Sequence, residues 1–67
     1  MNMFKEQLKL LIKEHKLTQK QFAQNIGFSE KTISGWTTGR REPDFDTLLK
    51  IANYFKETTD YLLGREN

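Results

Sequence analysis

The residues of this 67-residue chain that are able to do chemistry are mostly cations and hydrogen-bonding side chains, and the charges are unevenly placed. Between positions 13 and 41, Lys13, Lys16, Lys20, Lys31, Arg40 and Arg41 stand against Glu14 and Glu30, a net of +4. From 42 to 67, Lys50, Lys56 and Arg65 stand against Glu42, Asp44, Asp46, Glu57, Asp60 and Glu66, a net of −3. A basic segment followed by an acidic one fits a surface that faces a polyanion and has a repelled far side; ordinary solvated charge gives the same count. Catalysis has little to work with. There is no cysteine, the one histidine, His15, lies beside a lysine, and no glycine-rich phosphate loop is present, so no nucleophile and base pair or metal site can be assembled. Neither an enzyme nor a cofactor is expected, and disulfides are excluded.

Two short helices and a tight turn must position the basic segment. Thr18 is a good N-cap, and Gln21 three residues later completes a capping box, with Leu17 and Phe22 placed as a hydrophobic staple. The same grammar then repeats: Ser29 caps a second helix, with Phe28 and Ile33 at the stapling positions. Gly27 between them suits the left-handed conformation of a helix end. Helices are therefore predicted over 19–26 and 30–38, a helix-turn-helix candidate, although capped helices joined at a glycine also occur in proteins that never touch nucleic acid.

Around this pair, Phe4, Leu8, Leu11 and Ile12 form one apolar stripe and predict a helix from about Met3 to His15, with Leu10 off the stripe. His15 reads as a partner of that helix's negative end or as a surface residue. In the 30–38 helix only Ile33 and Trp36 are large and apolar, which leaves most of its circumference polar or small; Trp36 reads as core or core rim ahead of a base-stacking platform. Gly39 closes this helix, residues 40–43 form a loop ending in Pro43, and Asp44 caps a fourth helix to about Phe55. Phe45, Leu48, Ile51, Ala52 and Phe55 share its apolar face, with Leu49 and Tyr54 broadening it. Thr58 opens a last short helix that Gly64 ends. Five helices make an all-α chain and one domain, 1–67, without repeats or linkers. No apolar run approaches the roughly 20 residues of a membrane span, and a soluble cytoplasmic protein is the default expectation.

At this point the chain resembles the lambda-repressor-like helix-turn-helix domains (Cro/repressor or xenobiotic-response-element type) of phage and bacterial regulators. The matching pieces are L-T-Q at 17–19, F-A at 22–23, I-G at 26–27, S-x-x-T-I-S-x-W at 29–36, G-R-R-E-P at 39–43 and D-Y-L-L-G at 60–64. Their order and spacing cover nearly the whole chain. The resemblance implies a compact five-helix fold whose third helix enters the major groove of double-stranded DNA while the second lies across the backbone.

Carried over residue by residue, the resemblance implies base contacts from Glu30, Lys31 and Thr32, with Ser34 beside them and Gly35 at a position where many relatives carry a longer reading side chain. Lys31 can donate to guanine O6 and N7, Glu30 can accept from cytosine N4, and Thr32 can hydrogen-bond or set its methyl against thymine. Glu30 also fits a bland role beside the helix dipole. Phosphate contacts are expected from Gln19, Ser29, Thr38, Arg40 and Arg41, with Lys16 and Lys20 as charge-appropriate additions. Thr37 and Thr38 replace the Glu-Asn pair common in the family. The expected function is a sequence-specific transcriptional regulator, a phage or bacterial repressor on a pseudo-palindromic operator, bound as a homodimer. Tyr54, Leu62 and Leu63 are candidates for its apolar seam or for the core. Relatives often continue past D-Y-L-L-G, so the chain is a candidate N-terminal piece of a longer protein. The alternative is an antitoxin or anti-regulator that mainly binds a protein and touches DNA for autoregulation.

Overall fold

A computed structural model of the chain describes residues 3–65. Its helices are α1 (Phe4–Glu14), α2 (Gln19–Ile26), α3 (Glu30–Thr38), α4 (Phe45–Phe55) and α5 (Thr59–Leu63), with no strand among the described residues. The expected first helix gives up one residue at each end to its caps, Met3 and His15. His15 Nδ1–H donates to Leu11 O over 3.0 Å, and its ring meets Phe55 edge-on at 4.9 Å, so the histidine closes α1.

From α2 onwards each helix opens on a side-chain cap. Thr18 and Gln21 form the reciprocal box, at 3.0 and 2.9 Å. Ser29, Asp44 and Thr58 accept from the backbone N–H three residues on, at 3.1, 2.8 and 3.0 Å. A Ser or Thr cap contributes about 1 kcal/mol, enough to matter for helices of five to nine residues that are marginal in isolation. The Asp44 carboxylate is held below its usual range by hydrogen bonds from the Thr47 side chain and N–H.

Helix ends follow the expected glycines at 27, 39 and 64, and also two lysines that the sequence did not mark. Lys16 and Lys56 both sit at φ 57°. There the N–H of the following residue reaches back into the helix, Leu17 to Ile12 O at 3.0 Å and Glu57 to Ala52 O at 2.8 Å. A left-handed non-glycine residue costs roughly 1–2 kcal/mol, which these closures and the inward turn of Leu17 offset.

The core takes the α1 stripe whole, with Phe22, Ala23 and Ile26 from α2, Ile33 and Trp36 from α3, Leu48, Ile51, Ala52 and Phe55 from α4, and Leu62 from α5. Packing runs α1 on α3 and α5, α2 on α3 and α4, and α4 on α5. The rings of Phe22 and Phe55 stack at 5.2 Å, with Tyr54 edge-on to both. Trp36 is only 3% exposed and meets Phe28 edge-on at 5.2 Å, a core residue. Two expectations need correction. Phe45 is 68% exposed and Leu49 39%, because Leu48, Ile51, Ala52 and Phe55 already define the buried stripe; Phe45 falls at its edge in the first turn and Leu49 beyond it. Of the residues open between seam and core, Leu62 is fully buried, Tyr54 and Leu63 pack against the core, and the Tyr54 hydroxyl accepts from Asn25 Nδ2 at 2.9 Å.

Candidate nucleic-acid interface

The turn between α2 and α3 is fixed from both sides. Ala23 O accepts from Gly27 N–H at 2.9 Å and from Phe28 N–H at 3.0 Å, with Gly27 at φ 86°. That reversal drives Phe28 back onto Trp36 and fixes where α3 begins. Once Ile33, Trp36 and Thr37 are turned inward, Lys31, Ser34 and Thr38 share the opposite side of α3, and Glu30 and Thr32 flank them.

Glu30 and Lys31 are exposed, while Thr32 and Ser34 are half-buried. The hydroxyls of Ser29 and Thr32 are bonded to each other at 2.9 Å. One of the two protons is used in that bond, which leaves a single O–H from the pair to donate outward, whichever residue supplies it. Gly35 departs from its expected place among base contacts: it is buried, covered by the side chain of Arg41. Thr38 departs too. Its Oγ1–H donates to Ser34 O at 2.8 Å, with Gly35 O at 3.3 Å, so the proton it would offer a phosphate is spent on its own helix. Thr37 likewise bonds Ser34 O, at 3.3 Å.

The backbone-contact candidates surround this face. Gln19 is the first residue of α2 and stands outside the capping box, which uses Gln21. It lines a recess of about 300 Å³ with Lys9, Ile12, Lys13, Leu17 and Thr37. Lys9 and Lys13 are thus two cations beside Gln19 that the sequence reading did not assign to the site; their spacing of four on the polar side of α1 was the available signal. Lys16 and Lys20 are exposed at the α1–α2 corner and on α2, and Arg40 and Arg41 in the loop after α3. Among the described residues, Lys5 pairs with Glu6 at 3.8 Å on the exposed side of α1. No cluster of described His, Cys, Asp or Glu residues is able to hold a metal, and no described helix is long and apolar enough to cross a membrane.

Comparison with known proteins converges on one family. Residues 8–62 match the helix-turn-helix family model. The chain is 40% identical over 65 residues to the uncharacterized HTH-type transcriptional regulator YqaE of Bacillus subtilis, covering 97% of this chain and 56% of YqaE. It is 41% identical over 49 residues to the HTH-type transcriptional regulator ImmR of the same organism, 73% of this chain and 39% of ImmR. It is also 36% identical over 63 residues to the HTH-type transcriptional activator BcrR of Enterococcus faecalis, 94% of this chain and 31% of BcrR. Among solved structures, a transcriptional regulator from Listeria innocua superposes with a TM-score of 0.89 at 31% identity, over 100% of this chain and 63% of that one. The SOS-response repressor LexA from Eubacterium rectale gives 0.84 at 30% identity, over 90% and 64%. In each comparison the chain spans less than two thirds of the relative. With the capped helix pair, its open polar face and these matches in agreement, the chain belongs to the XRE-type, lambda-repressor-like helix-turn-helix domain family.

Proposed function

We propose that this chain is a non-enzymatic, sequence-specific DNA-binding domain of a transcriptional regulator, residues 1–67 acting as one unit. The observation that carries the reading is the construction of α3: capped by Ser29, stapled by Phe28 and packed through Ile33 and Trp36, it is held in place while Glu30 and Lys31 stand exposed, without ion pairs among the described residues. In this reading α3 enters the major groove, where Lys31, Glu30, Thr32 and Ser34 meet base edges. The α2 N-terminus with Gln19, and Lys16, Lys20, Ser29 and Arg40, meet phosphates and set affinity and its salt dependence.

Repression by occupancy requires no surface beyond this one, so a phage or bacterial repressor working in the cytoplasm, on the nucleoid, is the form favoured here. A module of this size covers little DNA alone, which supports a homodimer on a pseudo-palindromic operator. The test is selection from random duplex DNA at about physiological salt. The expected product is a two-fold motif with half-sites one helical turn, about 10 base pairs, or a multiple of it apart. Binding only at low salt, with no motif enriched, would overturn the reading in favour of a protein partner of the antitoxin or anti-regulator kind.

A further inference from the structure

Gly35 lies on the outward side of α3, four residues after Lys31 and three before Thr38, both of which are exposed. The glycine is nevertheless buried, and Arg41 buries it. A Cβ placed on Gly35 would lie 3.1 Å from Arg41 Cδ, 3.2 Å from Cγ and 3.3 Å from Cβ, so all three methylenes of the arginine lie against the helix at this position. Arg41 N–H donates to Gly35 O at 3.1 Å and pins the loop to α3. Glycine weakens a helix interior, and position 35 has none of the positive φ that requires it at 27, 39 and 64. Space for the Arg41 stem is the remaining reason for a glycine there.

We propose that Arg41 is a specificity-determining residue: carried by its stem across Gly35 onto the outward face of α3, its guanidinium reads a guanine through O6 and N7, in the place a side chain at 35 would hold. The inference rests on the DNA-binding reading above and changes the role of Arg41 from phosphate contact to base contact. A guanidinium fork suits the paired acceptors of guanine better than a lysine ammonium does. Arg41 takes part in no ion pair among the described residues. In the free protein it borders a groove of about 500 Å³ with Glu6 and Glu42 on the rim, so a purely internal role is the competing account.

The experiment is selection from random duplex DNA with wild type, Arg41→Lys and Arg41→Ala, with the melting temperature of each. The expected wild-type motif has a guanine in each half-site, separate from the base pair altered by Lys31→Ala. Preference for that guanine falls roughly 5- to 150-fold in both Arg41 variants while the rest of the motif and the melting temperature persist. Arg41→Lys keeps the charge and the stem, so it separates the roles. An unchanged motif in Arg41→Lys, with Arg41→Ala weaker on all sequences alike, would return Arg41 to the phosphates and overturn the proposal while DNA binding stands. A lowered melting temperature with an unchanged motif would assign it the internal role and overturn the proposal equally. A wild type that enriches nothing would remove the DNA reading itself, and this proposal with it.

Discussion

Helices α3 and α4 open alike and spend their side chains in opposite directions. Each begins on an extended residue, Ser29 or Asp44, whose side-chain oxygen accepts the N–H of the third helical residue. After that, α4 turns Leu48, Ile51, Ala52 and Phe55 inward, a broad apolar stripe that holds the helix against the core. The inward side of α3 has only Ile33 and Trp36 as large apolar residues, with Thr37 beside them. Its position against α1 and α2 is further fixed at its ends, by the cap, by Phe28 against Trp36, and by the Arg41 loop bonded to Gly35 O. Recognition thus resides on the outward side of α3, while α4 serves the core, and a substitution at an outward position of α3 should damage binding without stability.

The largest expected effect is on the α4 side. Phe55→Ala, which removes a ring packed on Phe22, Tyr54 and His15, should cost about 3–5 kcal/mol in urea unfolding, a large part of the roughly 5–15 kcal/mol available to a domain. Next comes Lys31→Ala on α3. Binding to the selected site should weaken by about 1–3 kcal/mol, with unfolding free energy changed by no more than about 0.5 kcal/mol. Equal weakening on all sequences would make Lys31 a phosphate contact, and a loss of stability comparable to that of Phe55→Ala would break the division of labour between the helices. The smallest effect concerns the α4 cap. Hydrogen bonds from Thr47 depress the Asp44 pKa in the folded state, so its ionised form stabilises the fold above the ordinary value of 3.8, and that contribution is lost as the pH falls through the lower folded value. Melting curves below pH 3.8 should therefore be flatter for Asp44→Asn, whose side chain still caps but does not titrate, than for wild type.

The caps, the staples and the three left-handed glycines were legible because each is set by residues three to five positions apart, within one turn of helix. Lys16 and Lys56 were not, since a lysine carries no local preference for positive φ and adopts it only when the next segment has to turn back on the core. The exposure of Phe45 escaped for a related reason: periodicity places it near the buried stripe, and only packing decides which edge residue is covered. Within the candidate site, the exposure of Glu30 and Lys31 follows from the narrow apolar stripe of α3. The burial of Gly35 does not, because it depends on a loop side chain six residues away folding back over the helix. The hydroxyl of Thr38 shows the same limit, as composition marks it polar while geometry turns its proton inward.

Met3 N–H donates to Leu63 O at 3.1 Å, and Gln7 Nε2 donates to Tyr61 O at 3.1 Å, so the start of α1 and the end of α5 are tied together. The first and last helices therefore hold each other in place. Loss of α5 would also release the first turn of α1, and the amide protons of the two are expected to exchange as one unit.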